Sequence, residues 1–174
     1  MSVLHLAAIG SLGEDLLGQL RRDLAVDFRR QCEVLPVRLD PEFAFHAERQ
    51  QYHSTEILER LQSLASKNTW RLLGVTPVDL YIPILTFVFG EAQLDGRCAV
   101  VSAHRLRQEF YGLPPQEKLL QERLRKEAVH ELGHTLGLHH CEYYRCGMSP
   151  SHSIEWIDLK EPTFCSACLA QAAI

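Results

Sequence analysis

Residues 130–140 constrain the fold and chemistry of this chain more than any other segment. They read His-Glu-Leu-Gly-His-Thr-Leu-Gly-Leu-His-His, which fits the spacing H-E-x-x-H-x-x-G-x-x-H at every fixed position. Each residue of an α-helix turns the chain by about 100°, so His130 and His134 would lie about 40° apart on one helical face. Both imidazoles could then reach the same metal ion. The segment therefore predicts a helix that supplies two metal ligands.

A third ligand is predicted at His140, provided that the helix ends at Gly137. A continuous helix would turn His140 about 240° away from His134, and its imidazole could not reach the same ion. Glycine adopts the left-handed conformation that ends helices at little cost, so we expect the chain to reverse at Gly137. His139 is the nearest alternative ligand, but the spacing favours His140.

This set of residues indicates a zinc hydrolase. Three neutral imidazoles can hold Zn²⁺ and leave a fourth position open for water, whose pKa the metal lowers to about 7. Glu131 lies beside the ligands without being one of them. A carboxylate there can accept a proton from water and pass it to a leaving amine, so Glu131 is predicted to act as general base and then as general acid.

A second metal site is predicted from four cysteines that follow the histidines in two short pairs. Thiolates spaced in this way form closed tetrahedral zinc sites, which are structural rather than catalytic. Residues 141–174 are only 34 in number and poor in large apolar side chains, so this stretch needs such a staple to fold. Disulfide pairing is the alternative. The predicted ligands are Cys141, Cys146, Cys165 and Cys168, and the total is two Zn²⁺ per chain, one catalytic and one structural.

The position of Cys141 next to His140 predicts that the two metal sites are mechanically coupled. A metal held by Cys141 would also fix the backbone that leads into the third catalytic ligand. The remaining cysteines, Cys32 and Cys98, lie outside both motifs. We expect them to be small buried apolar residues.

Composition narrows the class of protein. With 174 residues, 46% hydrophobic and 23% charged residues and a net charge of -4, the chain is typical of one soluble globular domain. Its basic residues form no stripe, so no nucleic-acid partner is expected. No run approaches the roughly 18 to 20 apolar residues of a membrane span, and the first residues lack a secretory pattern. We therefore expect a cytoplasmic protein with no membrane partner. In that reducing compartment, clustered thiols more often bind metal than form disulfides.

The first half of the chain alternates between strand and helix patterns. Val3–Ile9 and Cys32–Leu39 are predicted strands, with a helix after each, the second at residues 54–65. Further strands are predicted at residues 70–75, 78–82 and 84–89, the last because it is rich in branched and aromatic residues.

A hairpin and a long helix complete the predicted order of elements. Asp95-Gly96 is a tight-turn signal between residues 91–93 and 98–101, which predicts an antiparallel hairpin at a sheet edge. Such an edge offers unpaired backbone groups to an extended peptide, so the hairpin is the candidate substrate-binding strand. Pro114 and Pro115 mark the start of the helix that carries the histidines, predicted at about residues 115–138.

Taken together, the eleven-residue motif, Cys141 directly after the third histidine, the C-x4-C-x-M run that ends at Met148, and the later C-x-x-C resemble the archaemetzincins. This resemblance implies a metzincin-like α+β fold: a mixed twisted sheet with flanking helices and an active-site helix. Residues 1–137 would form an upper subdomain, and residues 138–174 a small zinc-stapled lower subdomain. Met148 would be an apolar floor beneath the zinc ligands. Tyr143 and Tyr144 could donate to a developing oxyanion.

The predicted function is a zinc metallopeptidase that acts on a peptide or protein. Two alternatives come from other classes of protein. One is a catalytically weak or inactive zinc scaffold that binds peptides or partner proteins, against which the intact Glu131 argues. The other is a zinc-ribbon nucleic-acid module, which the acidic charge balance disfavours.

Overall fold

The computed structural model describes residues 2–172 and 174 of the chain. In this part of the chain the strands are β1 (Val3–Ile9), β2 (Cys32–Leu39), β3 (Phe45–His46), β4 (Gln51–His53), β5 (Thr69–Thr76), β6 (Leu80–Tyr81), β7 (Gly90–Ala92) and β8 (Cys98–Ser102). The α-helices are α1 (Glu14–Asp27), α2 (Ser54–Gln62), α3 (Glu117–Thr135), α4 (Ile154–Leu159) and α5 (Ser166–Ala172). The mixture of helices and strands confirms the predicted α+β class.

A five-stranded mixed sheet forms the centre of the fold. Its strand order is β2-β1-β5-β8-β7; the first four strands are parallel, and β7 pairs with β8 antiparallel. The predicted hairpin is thereby confirmed, and β7 lies at the sheet edge. Asp95 adopts a left-handed φ of 54° in the turn, and Gly96 donates its N–H to the Gln93 carbonyl at 2.9 Å.

Helices cover both faces of this sheet. Side chains alternate along β1: Leu4, Leu6 and Ala8 pack in one hydrophobic cluster with α1 and α3, while Ala7 and Ile9 pack in another with α2. All seven residues of β1 are buried, which is typical of a parallel strand with helices on both sides. The core therefore has three layers, with α3 pressed against the sheet near β7 and β8.

The predicted strand at residues 84–89 is wrong. This segment, which we call the cleft loop, forms turns and bends, and its ladder contact is a single bridge between Val88 and Leu80. Arg49 donates to the carbonyls of Leu85 (2.6 Å) and Thr86 (3.1 Å), so side chains rather than a neighbouring strand occupy these acceptors. The apolar residues that suggested a strand differ in exposure: Ile84 is 87% exposed and Leu85 is exposed, whereas Phe87 and Val88 are half-buried and Phe89 is buried.

The predicted strand at residues 78–82 is shorter in the structure, where it belongs to a neighbouring small sheet. Of residues 78–82, only β6 is paired, in a three-stranded sheet of order β3-β4-β6. β3 and β4 are antiparallel, whereas β4 and β6 are parallel. This sheet supplies Arg49, which lies between β3 and β4 and fixes the cleft loop.

The C-terminal part packs around a cluster of its own. Leu138, Cys146, Met148, Cys168 and Ala172 are buried together, apart from the two clusters that cover the sheet. The division into subdomains at residue 137 stays a prediction. In the described part of the chain, the helices are too short or too polar to cross a membrane.

Candidate metal centre and active-site cleft

The helix α3 ends as its glycine predicts. Gly137 has a left-handed φ of 84° and donates to the carbonyl of His134, while Leu138 donates to the carbonyl of Gly133. These two bonds form a Schellman motif, which satisfies the carbonyls at the end of a helix. The helix therefore stops at Thr135 rather than near residue 138, and the prolines precede its first residue, Glu117.

The turn brings three imidazoles together. One ring nitrogen from each of His130, His134 and His140 lies within 4.8 Å of the others. The Nε2 atoms of His130 and His134 are 3.2 Å apart. His139 is not in this cluster; it is exposed and lies on the rim of the adjacent cleft. The spacing argument for His140 over His139 therefore agrees with the geometry.

The hydrogen bonds of two rings fix which nitrogen faces the cluster. His130 Nδ1 donates to the Gly147 carbonyl at 2.8 Å, and His134 Nδ1 donates to the Leu138 carbonyl at 2.7 Å. A carbonyl can only accept, so each neutral ring carries its proton on Nδ1 and presents the lone pair of Nε2. The two Nε2 atoms are only 3.2 Å apart, so their lone pairs repel each other unless a cation lies between them. The donor set therefore fits Zn²⁺.

The electrostatic environment keeps these rings neutral. Burial lowers the pKa of His130 well below its usual range, and the charge of Lys160 lowers it further. Burial also lowers the pKa of His134 and of His140. Neutral imidazole is the form that binds metal, so the fold holds the three rings in the state that a zinc ion requires.

Glu131 projects from the same helix into the space beside the histidines. It is buried, and this burial raises the pKa of Glu131 well above its usual range, with a further rise from the Glu127 carboxylate. A Cβ atom at Gly90 would come within 2.8 Å of Glu131 Oε1. Any larger residue at the start of β7 would thus displace this carboxylate.

A cleft of about 740 Å³ runs past the histidines and Glu131. The cleft loop and Leu94 form an apolar wall, while Pro150, Ser151 and His152 belong to the lining as well. None of the described residues that line it is a lysine or an arginine. The cleft therefore combines an apolar wall with the carboxylates of Glu91, Glu127 and Glu131.

The edge strand β7 exposes backbone groups along this cleft. Gln93 donates to the Cys98 carbonyl at 3.0 Å, and Ser102 donates to the Phe89 carbonyl at 2.8 Å. Residues of an antiparallel ladder alternate between bonding the partner strand and pointing away from it. The N–H and C=O groups of Gly90 and Ala92 therefore point to the open side of β7.

The four predicted cysteines also come together. One sulfur from each of Cys141, Cys146, Cys165 and Cys168 lies within 4.8 Å of the others. The Sγ atoms of Cys141 and Cys165 are 3.8 Å apart, far beyond the roughly 2.05 Å of a disulfide bond. An edge of about 3.8 Å is what a tetrahedron with Zn–S bonds of about 2.3 Å requires. This geometry favours a metal over the disulfide alternative.

The thiols differ in how readily they ionise. A hydrogen bond from the backbone N–H of Cys168 is the main reason that the pKa of Cys165 falls to about 7. Burial raises the pKa of Cys146 and of Cys168. Because thiolates are the form that binds zinc, a bound cation would stabilise all of them in that form. Cys32 and Cys98 are buried, as predicted.

Met148 is buried against α3. Gly133 is a helical residue whose added Cβ would lie 2.2 Å from Met148 Sδ, so the methionine can pack there only because Gly133 has no side chain. The Met148 carbonyl accepts from the Cys141 backbone N–H at 2.9 Å. Met148 therefore contacts both the helix of the histidines and the start of the cysteine segment.

The two tyrosines are placed elsewhere. Tyr143 and Tyr144 are both exposed, and neither is among the residues that line the cleft. Their predicted approach to the site is therefore not seen.

Residues that the motifs do not mark also contribute to the site. Lys160 is buried next to His130, with its Nζ 2.8 Å from Glu127 Oε1. Sequence offers no signal for it, because lysine is mostly a surface residue. Gly133 carries one signal, since an unexplained glycine inside a helix costs about 1 kcal/mol relative to alanine.

A peptidase that uses zinc is the class of protein that this fold and these clusters define. A family model described as Peptidase family M54 matches residues 22–173. Archaemetzincin from Methanocaldococcus jannaschii is 45% identical over 161 residues, which cover 92% of this chain and 87% of that protein. Archaemetzincin from Pyrococcus abyssi is 38% identical over 177 residues, covering 97% and 93%.

Solved structures give the same result. The crystal structure of archaemetzincin from Methanopyrus kandleri matches with a TM-score of 0.83 and 34% identity, covering 99% of this chain and 93% of that chain. A zinc-dependent peptidase from Methanocorpusculum labreanum matches with a TM-score of 0.89 and 28% identity, covering 97% and 99%. The chain belongs to peptidase family M54, the archaemetzincins, and is a zinc metallopeptidase.

The contact between Gly133 and Met148 gives a first prediction. Gly133→Ala should lower the free energy of unfolding by about 1 to 3 kcal/mol, because the new methyl group overpacks a buried site. Urea denaturation of the zinc-loaded protein measures this. Gly18→Ala in α1 is the matched control, since its Cβ would meet only Arg22 Nη1 at 3.8 Å. The interpretation is wrong if both variants are at least as stable as the parent.

Proposed function

We propose that this chain hydrolyses peptide bonds at a zinc ion held by His130, His134 and His140, with Glu131 as the general base. The observation that carries the proposal is the distance of 3.2 Å between the Nε2 atoms of His130 and His134, whose lone pairs face each other. Both rings lie in a cleft that Glu131 also lines. This arrangement supplies ligands for a cation and a base beside it.

The chain's own residues divide the chemical work. A bound Zn²⁺ would supply Lewis acidity toward a carbonyl oxygen and would acidify water. Glu131 accepts the proton of the attacking water on its carboxylate and then delivers it to the nitrogen of the leaving amine. Gly90 leaves room for this carboxylate, and the Gly147 and Leu138 carbonyls orient two of the rings.

The substrate we propose is an extended peptide. It would lie along β7 and exchange backbone hydrogen bonds with Gly90 and Ala92, as an added strand does. The apolar cleft loop would contact its side chains, and bulky apolar residues suit that wall. The absence of lysine and arginine from the described lining disfavours substrates rich in acidic residues.

We propose a second, structural zinc at Cys141, Cys146, Cys165 and Cys168, which gives two zinc ions per chain. Four sulfurs leave no open position for a substrate, so this metal would stabilise the fold rather than take part in hydrolysis. Six cysteines without a disulfide suit a reducing compartment, which supports a cytoplasmic location.

A non-catalytic zinc scaffold remains the second candidate. It would share the edge strand and the cleft, so binding of peptides alone does not separate the two functions. The position of Glu131 beside the histidines supports catalysis, because a scaffold has no use for a buried carboxylate there.

We propose one domain without a nucleic-acid partner, with residues 1–137 above the cleft and residues 138–174 below it.

The role of Glu131 gives a direct test. Glu131→Gln should lower kcat for a peptide library by about 100- to 10,000-fold, because the amide cannot accept the proton. Zinc content should stay at the parent value. The exposed Glu117→Gln, on the same helix, is the control and should cleave like the parent. Cleavage by Glu131→Gln at the parent rate would exclude the proposed mechanism.

Metal counting tests the two sites. Native mass spectrometry of the parent should find two zinc ions per chain. Cys165→Ser should bind one and unfold at a lower temperature, since a structural zinc contributes folding free energy. Cys98→Ala removes a buried thiol outside the cluster and should keep both ions. A parent with one zinc ion, or Cys165→Ser with two, contradicts the structural site.

The edge strand can be tested at Ala92. Ala92→Pro removes an N–H that points away from β8, so the sheet should stay intact. The KM for peptides should rise about three- to tenfold, which is the loss expected for one backbone hydrogen bond. Ala92→Val keeps the N–H and serves as the control. If Ala92→Pro and Ala92→Val have equal KM values and melting temperatures, the peptide does not pair with β7 at this residue.

A further inference from the structure

Lys160 is the largest fully buried side chain in the described part of the protein. It directly follows α4, and its ammonium group lies next to Glu127, His130 and Ser151, which line the cleft. Lysine is almost never fully buried unless its charge is paired, because removing an ammonium group from water costs several kcal/mol. Its partners therefore show what this charge does in the fold.

The ammonium group contacts acceptors from two segments. Its Nζ lies 2.8 Å from Glu127 Oε1 on α3, and it donates to Ser151 Oγ at 2.6 Å and to the Ser149 carbonyl at 3.2 Å. Ser151 Oγ in turn donates to Glu127 Oε1 at 2.7 Å. Lys160 thereby ties residues 147–151 to the active-site helix.

Lys160 does not hydrogen-bond the histidine ring. Its Nζ is 3.4 Å from His130 Nδ1, but that nitrogen donates to the Gly147 carbonyl at 2.8 Å. Two donors cannot bond each other, so this contact is one of proximity. The connection to His130 runs through the backbone of residues 147–151, whose first carbonyl orients the ring.

We propose that Lys160 is a positioning residue of the catalytic centre. By holding Ser149, Ser151 and Glu127, it fixes the segment that presents the Gly147 carbonyl to His130. The inference rests on the proposed function, in which His130 is a ligand of the catalytic zinc. Partners that orient a ligating histidine typically change metal affinity or activity by about 10- to 100-fold when they are removed.

Stability alone does not explain this arrangement. A buried ion pair can often be replaced by apolar residues of similar volume with no loss of stability, because the desolvation penalty disappears with the charges. What apolar residues cannot supply is the directed bond to the Ser149 carbonyl. The ion pair therefore fixes the position of the segment that contains Ser149, beside the proposed metal site.

The test compares metal affinity with stability. Lys160→Met combined with Glu127→Leu replaces the pair by apolar side chains, and Ser151→Ala removes one acceptor more gently. Competition with a chelator should show that the histidine-site zinc binds about 10- to 100-fold more weakly in the double variant. A weaker effect in the same direction is expected for Ser151→Ala. The cysteine-site zinc should be retained, and circular dichroism should show a folded protein.

Arg123→Met is the matched control. Like Lys160, Arg123 is a buried cation, and it lies on α3. Its Nη2 is 2.7 Å from Asp158 Oδ2 on α4, and its hydrogen bonds do not involve residues 147–151. Its removal should leave zinc affinity at the parent value. Equal losses in Arg123→Met and the double variant would show a general loosening of α3 and α4, and would overturn the proposal. Parent-like zinc affinity in both the double variant and Ser151→Ala would also overturn it.

The experiment separates this inference from the proposed function. Glu131→Gln should keep parent zinc affinity while it loses turnover. A parent protein that binds no zinc at the histidines would contradict the proposed function itself. A parent that binds zinc and hydrolyses peptides, with unchanged affinity in the Lys160 variants, would contradict only the positioning role.

Discussion

The close approach of residues 147–149 to α3 is the contact on which the histidine cluster and the cysteine cluster both depend. It is possible because Gly133 has no side chain, so Met148 can lie against the helix backbone. The neighbouring Gly147 carbonyl then accepts from His130, and the Met148 carbonyl accepts from Cys141. One short segment thus bonds to a histidine of one cluster and to a cysteine of the other.

This arrangement gives the expected coupling between the two clusters a physical route. The sequence suggests it through the bond between His140 and Cys141, but the structure adds a second connection through residues 147–149. A displacement of the cysteine segment would move the Met148 carbonyl and, next to it, the carbonyl that orients His130. The geometry of the histidine cluster is therefore supported twice, by the bond between His140 and Cys141 and by the hydrogen bonds of residues 147–149.

The parts of the site that follow from local geometry could be predicted from sequence. Helical periodicity placed His130 and His134 together, and the left-handed preference of glycine ended the helix near Gly137. The contributions of Gly90 and Lys160 could not be predicted, because they depend on contacts between segments distant in sequence. The strand prediction for the cleft loop is wrong because branched and aromatic residues, which are typical of core strands, also suit the wall of a cleft, which Phe87, Val88 and Phe89 line here.

The short length of β7 has a consequence for the behaviour of the protein in solution. An exposed sheet edge is a template on which other chains can aggregate. Here the edge is limited to three residues, closed on one side by the bridge between Val88 and Leu80. On the other side, the turn is fastened to α3 by the bond from Asp95 to the His134 carbonyl. The edge therefore presents only three residues to another chain, which makes it a poor template for pairing between whole sheets.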